Sequence, residues 1–243
     1  MNAFEMKCSC KFLIAAFVAV FGFTAAGAQN SDDVDFGLWA SAEVSYAVHP
    51  KFEISLSEEI RTNNNVRNIN QLKTTLGFGS KINKHLKVGF GYIMKNYRNT
   101  TLSSGWEFRH RYFVYVTGSY KVARVKFSLR EYLQGTHRIG VDAKVNPEFY
   151  SKTRLKIEYD IRKSMFTPYV TAEVYAALND SDLTGWDAFD RIRYSAGTEI
   201  KLDKHNRLDV FARFTTKRDW KPKRKVFKVE NSAIVSVGYS YSF

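Results

Sequence analysis

The final residues, Ala233-Ile-Val-Ser-Val-Gly-Tyr-Ser-Tyr-Ser-Phe243, permit few conformations. Ala233, Val235, Val237, Tyr239, Tyr241 and Phe243 share one parity, and Ser232, Ile234, Ser236, Gly238, Ser240 and Ser242 share the other. Successive strand side chains point to opposite faces, so this is a strand with one face apolar and the other small and polar. An α-helix would scatter the same residues around its whole circumference.

The alternation is not confined to the end. Phe36, Leu38, Ala40, Ala42, Val44, Tyr46 and Val48 repeat it, and so do Phe52, Ile54, Leu56 and Ile60 beyond a His49-Pro50-Lys51 turn. It continues through Leu72 to Ile82, Leu86 to Met94, Phe108 to Tyr120, Val125 to Leu129, Leu155 to Ile161, Val170 to Ala176, Ile192 to Leu202 and Leu208 to Phe214. Short turns (Asn83-Lys84, Lys121-Val122-Ala123, Asp203 to Asn206) alternate with longer polar loops at Thr62–Asn68, Asn99–Gly105, Gly135–Pro147, Asn179–Asp187 and Lys217–Lys228. Segments of about 10–14 residues exceed ordinary globular strands and suffice for a tilted membrane crossing. The expected fold is all-β: an antiparallel, up-and-down transmembrane barrel of 10–12 strands. About eleven can be counted, but single-chain bacterial barrels are usually even, which favours twelve. Trp39, Tyr46, Tyr92, Tyr97, Trp106, Tyr112, Tyr159, Tyr194, Tyr239 and Tyr241 sit near strand ends, as interfacial girdles do. A soluble sandwich or small ligand-binding barrel is the competing reading.

Ahead of the strands, Lys7 and Lys11, the apolar run Phe12–Phe23 and Ala26-Gly27-Ala28 have the order of a secretory signal. Residues 1–28 are therefore expected to be cleaved, leaving 29–243 as one barrel domain. Cys8 and Cys10 would leave with the signal, so no disulfide, thiol nucleophile or cysteine metal site is expected. Losing two cations and one anion takes the formal charge of +13 to +12. In an exported protein that excess suits phosphate or lipopolysaccharide better than nucleic acid. A mean hydropathy of −0.34 fits spanning strands that are only half apolar.

The last strand, ending on Phe243, resembles the closing strand of bacterial outer-membrane barrels, which implies recognition by the barrel assembly machinery. Together with the signal, the openings Asp35-Phe36-Gly37-Leu38-Trp39 and Phe189-Asp190-Arg191-Ile192-Arg193-Tyr194 and the ending Tyr239-Ser240-Tyr241-Ser242-Phe243 resemble one family. It comprises small exported barrels, common in Bacteroidota, known as a domain of unknown function. The resemblance covers the mature chain, implies outer-membrane localisation and transfers no catalytic residue.

Candidate chemistry lies on the less apolar parity, which a barrel turns inward. Basic pairs recur there at Arg109/Arg111, Arg154/Lys156 and Arg191/Arg193, with Gln71/Lys73 weaker. Lys87, Lys95, Arg124, Lys126, Arg130, Lys152, Arg207 and Arg213 join them, opposed by Glu43, Glu53, Glu59, Glu107, Glu158, Glu173, Glu199 and Asp209. Buried charges need partners, so one expectation is a lumen plugged by cross-strand ion pairs. The other is that Arg109, Arg111, Arg154, Lys156, Arg191 and Arg193, with Glu173 and Asp209, face a small anionic solute in a narrow channel. Arg218, Trp220, Lys221, Lys223, Arg224 and Lys225 read as a solvated run or a lipopolysaccharide-facing loop. No G-x-S-x-G, H-E-x-x-H or phosphate loop occurs. The one combination that a lipase- or protease-type barrel enzyme could use is His137 with Asp142 or with Asp180, Asp182 and Asp187. The expectation is a non-enzymatic protein without cofactor or metal; a barrel enzyme and a soluble periplasmic binding protein are the alternatives.

Overall fold

The computed structural model describes residues 34–99, 105–180, 185–221 and 226–243. The expected signal, Asp182 and Lys223, Arg224 and Lys225 lie outside them. Eleven strands follow one another: β1 (Val34–His49), β2 (Phe52–Asn63), β3 (Asn68–Lys81), β4 (Leu86–Arg98), β5 (Trp106–Val122), β6 (Val125–Arg138), β7 (Glu148–Tyr159), β8 (Phe166–Ala177), β9 (Phe189–Lys201), β10 (Asn206–Lys221) and β11 (Val226–Ser242). Each pairs antiparallel with its chain neighbour, and β1 closes against β11.

Among the described residues the count is eleven, not the favoured twelve, and this fixes the closure. Strictly alternating strands of odd number leave the first and last pointing the same way. Contacts across the seam agree. A Cβ on Gly37 would lie 3.3 Å from Ile234, a Cβ on Gly238 would lie 2.9 Å from Ser41 Oγ, and the hydroxyls of Ser45 and Ser242 are 2.8 Å apart. Partners advance together along both strands, so β1 and β11 run parallel. Closure pairs the backbone without leaving a sheet edge, which crossing a hydrocarbon layer requires.

Alternation sorts the side chains as expected. Phe36, Leu38, Val44, Leu56, Phe90, Val114, Leu129, Tyr194 and Val237 are exposed on the outer surface. An apolar surface of that extent marks a protein solvated by lipid. Two girdle assignments fail, because odd-numbered Trp39 and Tyr97 turn inward. Arg61 lies 3.6 Å over the Trp39 ring and Arg109 4.4 Å over Tyr97. Inside, Phe113 and Tyr115 lean over β4, where a Cβ on Gly91 or Gly89 would stand 2.5 Å and 2.4 Å from their rings. Only glycine leaves room for those aromatics.

Two turns at one end repeat a single device. Asn83 Oδ1 accepts the amides of His85 and Leu86 at 2.8 and 2.9 Å, and Asp203 Oδ1 those of His205 and Asn206 at 2.7 and 2.8 Å. Each turn histidine then reaches the end of a nearby strand, His85 Nδ1 to the Ser119 carbonyl at 3.0 Å and His205 Nδ1 to that of Ser242 at 2.6 Å. At the opposite end three expectations need correction. β6 continues to Arg138 through the expected Gly135–Pro147 loop, because Arg109 to Tyr112 continue to pair with it. Lys217–Lys221 and Val226–Lys228 are paired strand rather than loop, extending the β10–β11 hairpin. The β2–β3 connection is only Asn64–Arg67, so turns and loops do not divide cleanly by length.

Candidate anion site in the lumen

Inward-facing charge is organised by register. Glu59 takes Arg61 and Lys73, the latter at 3.0 Å. Fully buried Glu107 accepts from Arg109 and Arg138, each through Nε at 2.6 Å, and from Asn99 at 2.9 Å. Arg130, Arg154, Glu173 and Arg193 are successive cross-strand neighbours, with Glu173 3.8 Å from Arg154 and 3.9 Å from Arg193. Lys156 bridges Glu158 at 3.0 Å and Glu199 at 2.5 Å. To this extent the lumen neutralises itself.

Pairing does not use up the cations. Lys73, Lys95 and Arg109 are direct cross-strand partners on β3, β4 and β5, although like charges placed opposite one another destabilise a sheet. Lys95 is 7% exposed, and the charges that act on it most are Arg111, Arg61, Arg109 and Lys73. Among the described residues Lys95, Arg111, Arg130, Lys152 and Arg213 have no carboxylate within ion-pair distance. Arg111 donates to Thr136, Arg130 to Thr117 and Arg213 to Ser195, each at 2.8 Å, and Lys152 lies over the rings of Tyr132 and Tyr175. Arg193 Nε is buried with no acceptor. Cations withdrawn from water without an ion-pair partner carry positive potential into the lumen.

The sequence-derived set divides in two. Arg191 and Arg193 of β9 converge on the Tyr175 ring of β8 at 5.1 and 4.8 Å, and Arg111 of β5 lies within electrostatic reach of Tyr175, Arg61 and Arg191. Arg154 and Glu173 adjoin them, and Arg109 is held higher by Glu107. Lys156 and Asp209 sit nearer the short-turn end, the latter accepting from Tyr169 at 2.8 Å, and do not join the cluster. Arg124 is not in the lumen, since it lies in the β5–β6 turn. The sequence reading leaves out Arg61 and Tyr175 and puts Trp39 in the girdle, although parity alone places all three inside. Asp190 could not be found that way. A register shift at Tyr175/Ala176 turns it inward, 3% exposed, where Tyr150 donates to it at 3.1 Å and Arg191 lies 3.7 Å away.

Outside the lumen the other candidates separate. Arg218 bonds Asp187 at 3.0 Å, while the β10 backbone carries Trp220 and Lys221 opposite Phe227 and Val226. His137 is not in a loop. It stands exposed on the outer face of β6, cross-strand from His110, whose ring bonds Tyr92. That register removes the loop placement on which the hydrolase combination rested.

The fold is a closed, up-and-down β-barrel around a charged lumen. By a match over residues 36–225, the chain belongs to the family described as protein of unknown function (DUF2490). The curated proteins contain no match. Among solved structures it resembles the NanC porin in a rhombohedral crystal form, with a TM-score of 0.50 and 15% identity over 87% of this chain and 99% of that one. That likeness concerns the fold.

Proposed function

We propose that this chain is a non-enzymatic outer-membrane barrel that binds small anions in its lumen and lets them cross at a narrow, cation-lined constriction. The observation that carries the reading is the Lys73–Lys95–Arg109 row, in which Lys95 is buried among cations. Such an arrangement weakens an empty barrel and strengthens one holding an anion. Support for the location comes from the apolar outer surface and the closed sheet, since a soluble binding barrel has no use for exposed Phe90, Val114 and Leu129. In this reading lipid and lipopolysaccharide surround the wall, the basic β10–β11 hairpin faces lipopolysaccharide phosphates, and the strand ending at Phe243 is offered to the assembly machinery.

The test is uptake into proteoliposomes of size-matched solutes differing in charge. A small carboxylate should enter faster than a neutral or cationic analogue, and Lys95→Met should narrow the difference. Equal rates for all three solutes would refute the anion reading.

A further inference from the structure

Among these cations stands an aromatic ring. Tyr175 is 6% exposed, with Arg193 Cζ 4.8 Å, Arg191 Cζ 5.1 Å and Lys152 Nζ 5.8 Å from its ring centroid. Arg111 of β5 lies within electrostatic reach of it. Its hydroxyl accepts from Arg193 Nη1 at 2.5 Å and donates to Glu173 Oε2 at 3.4 Å. A π face offers these cations attraction without charge, and cation–π contacts are weaker than charge-assisted hydrogen bonds to an oxyanion.

We infer that Tyr175 is a displaceable plug occupying an oxyanion site made by Arg111, Lys152, Arg191 and Arg193. The inference rests on the anion reading above and adds where the lumen is closed and what opens it. An entering carboxylate or phosphate engages the guanidinium donors that the ring only covers, including the buried Arg193 Nε that has no acceptor. Once its cations are engaged elsewhere, the ring loses its hold and swings aside. Glu173 limits the exchange by keeping Arg154 and Arg193 in place when no ligand is bound.

The experiment is single-channel recording on the purified full-length protein in planar bilayers, with potassium chloride and then inorganic phosphate as probes. Heat-modifiable mobility checks folding. Tyr175→Ala should raise conductance severalfold while leaving the current anion-selective. Tyr175→Phe keeps the ring and should remain close to the parent. Unchanged conductance in a folded Tyr175→Ala protein would overturn the plug, whereas cation-selective current in the parent would overturn the anion reading itself. Should the alanine variant fail to fold, Tyr175→Cys can carry the test in a chain with Cys8→Ser and Cys10→Ser, the only native cysteines. A thiol reagent bearing a sulfonate should then react faster than one bearing an ammonium group. Equal or reversed rates would contradict an oxyanion site at this position.

Discussion

The amide of Phe243 donates to the carbonyl of Ser45 at 3.0 Å, fastening the last residue of the chain to its first strand. Ser242 and Ser45 meet through their hydroxyls one position away. The outward-facing aromatic end is completed by Phe243 against Tyr46, ring centroids 6.1 Å apart. The terminal Phe is thus a structural part of a parallel seam.

Parallel closure makes a register prediction. Ser45→Cys with Ser242→Cys should form a disulfide under mild oxidation, and so should Ser41→Cys with Gly238→Cys, because both pairs hold the same offset along the seam. Antiparallel strands could satisfy at most one of the two. Cross-linking of only one pair, read as a mobility shift in unfolded samples, would refute the seam.

Acid should loosen the β9–β10 turn. Hydrogen bonds from the His205 amide, the Asn206 side chain and the Asn206 amide hold the Asp203 carboxyl below its ordinary range. A depressed folded-state pKa means that the stabilisation is complete above the unfolded value, about 3.9, and is lost as pH falls through the lower folded value. Asp203→Asn copies Asn83 in the sister turn, so it should keep the fold and remove this component of the acid dependence. Thermal midpoints of the two proteins should therefore converge as pH falls below about 4. A gap that stayed constant down the pH series would contradict the assignment.

Lys95 places stability and function in opposition. Replacing a buried, uncompensated charge by an apolar residue of similar length should stabilise the barrel, by about 1–4 kcal/mol on the scale of buried ion-pair replacements. The denaturant midpoint of Lys95→Met should therefore rise while anion preference falls. A fall in both would mean that Lys95 serves the fold through a partner the geometry does not reveal.

Much of this was legible in the sequence because strand parity has period two and a barrel has two faces. Arg109, Arg111, Arg154, Arg191 and Arg193 were assigned inward by the same rule that assigned Val114 and Tyr194 outward. Parity failed at register shifts, which are set by pairing partners. The shift at Tyr175/Ala176 brings Asp190 in beside Arg191, and no local pattern announces it. Trp39 and Tyr97 misled because an aromatic near a strand end serves equally as a girdle or as a platform for arginine. Gathering of Lys152, Arg191 and Arg193 around Tyr175 joins residues of three strands, so only the pairing of the sheet could reveal it.

The central claim is that the lumen carries uncompensated positive charge. Zero-current potential across a planar bilayer under a potassium chloride gradient tests it most directly. The account predicts a potential displaced toward the chloride equilibrium value, with the displacement reduced in the combined Lys95→Met, Arg111→Gln variant. A potential displaced toward that of potassium would contradict it.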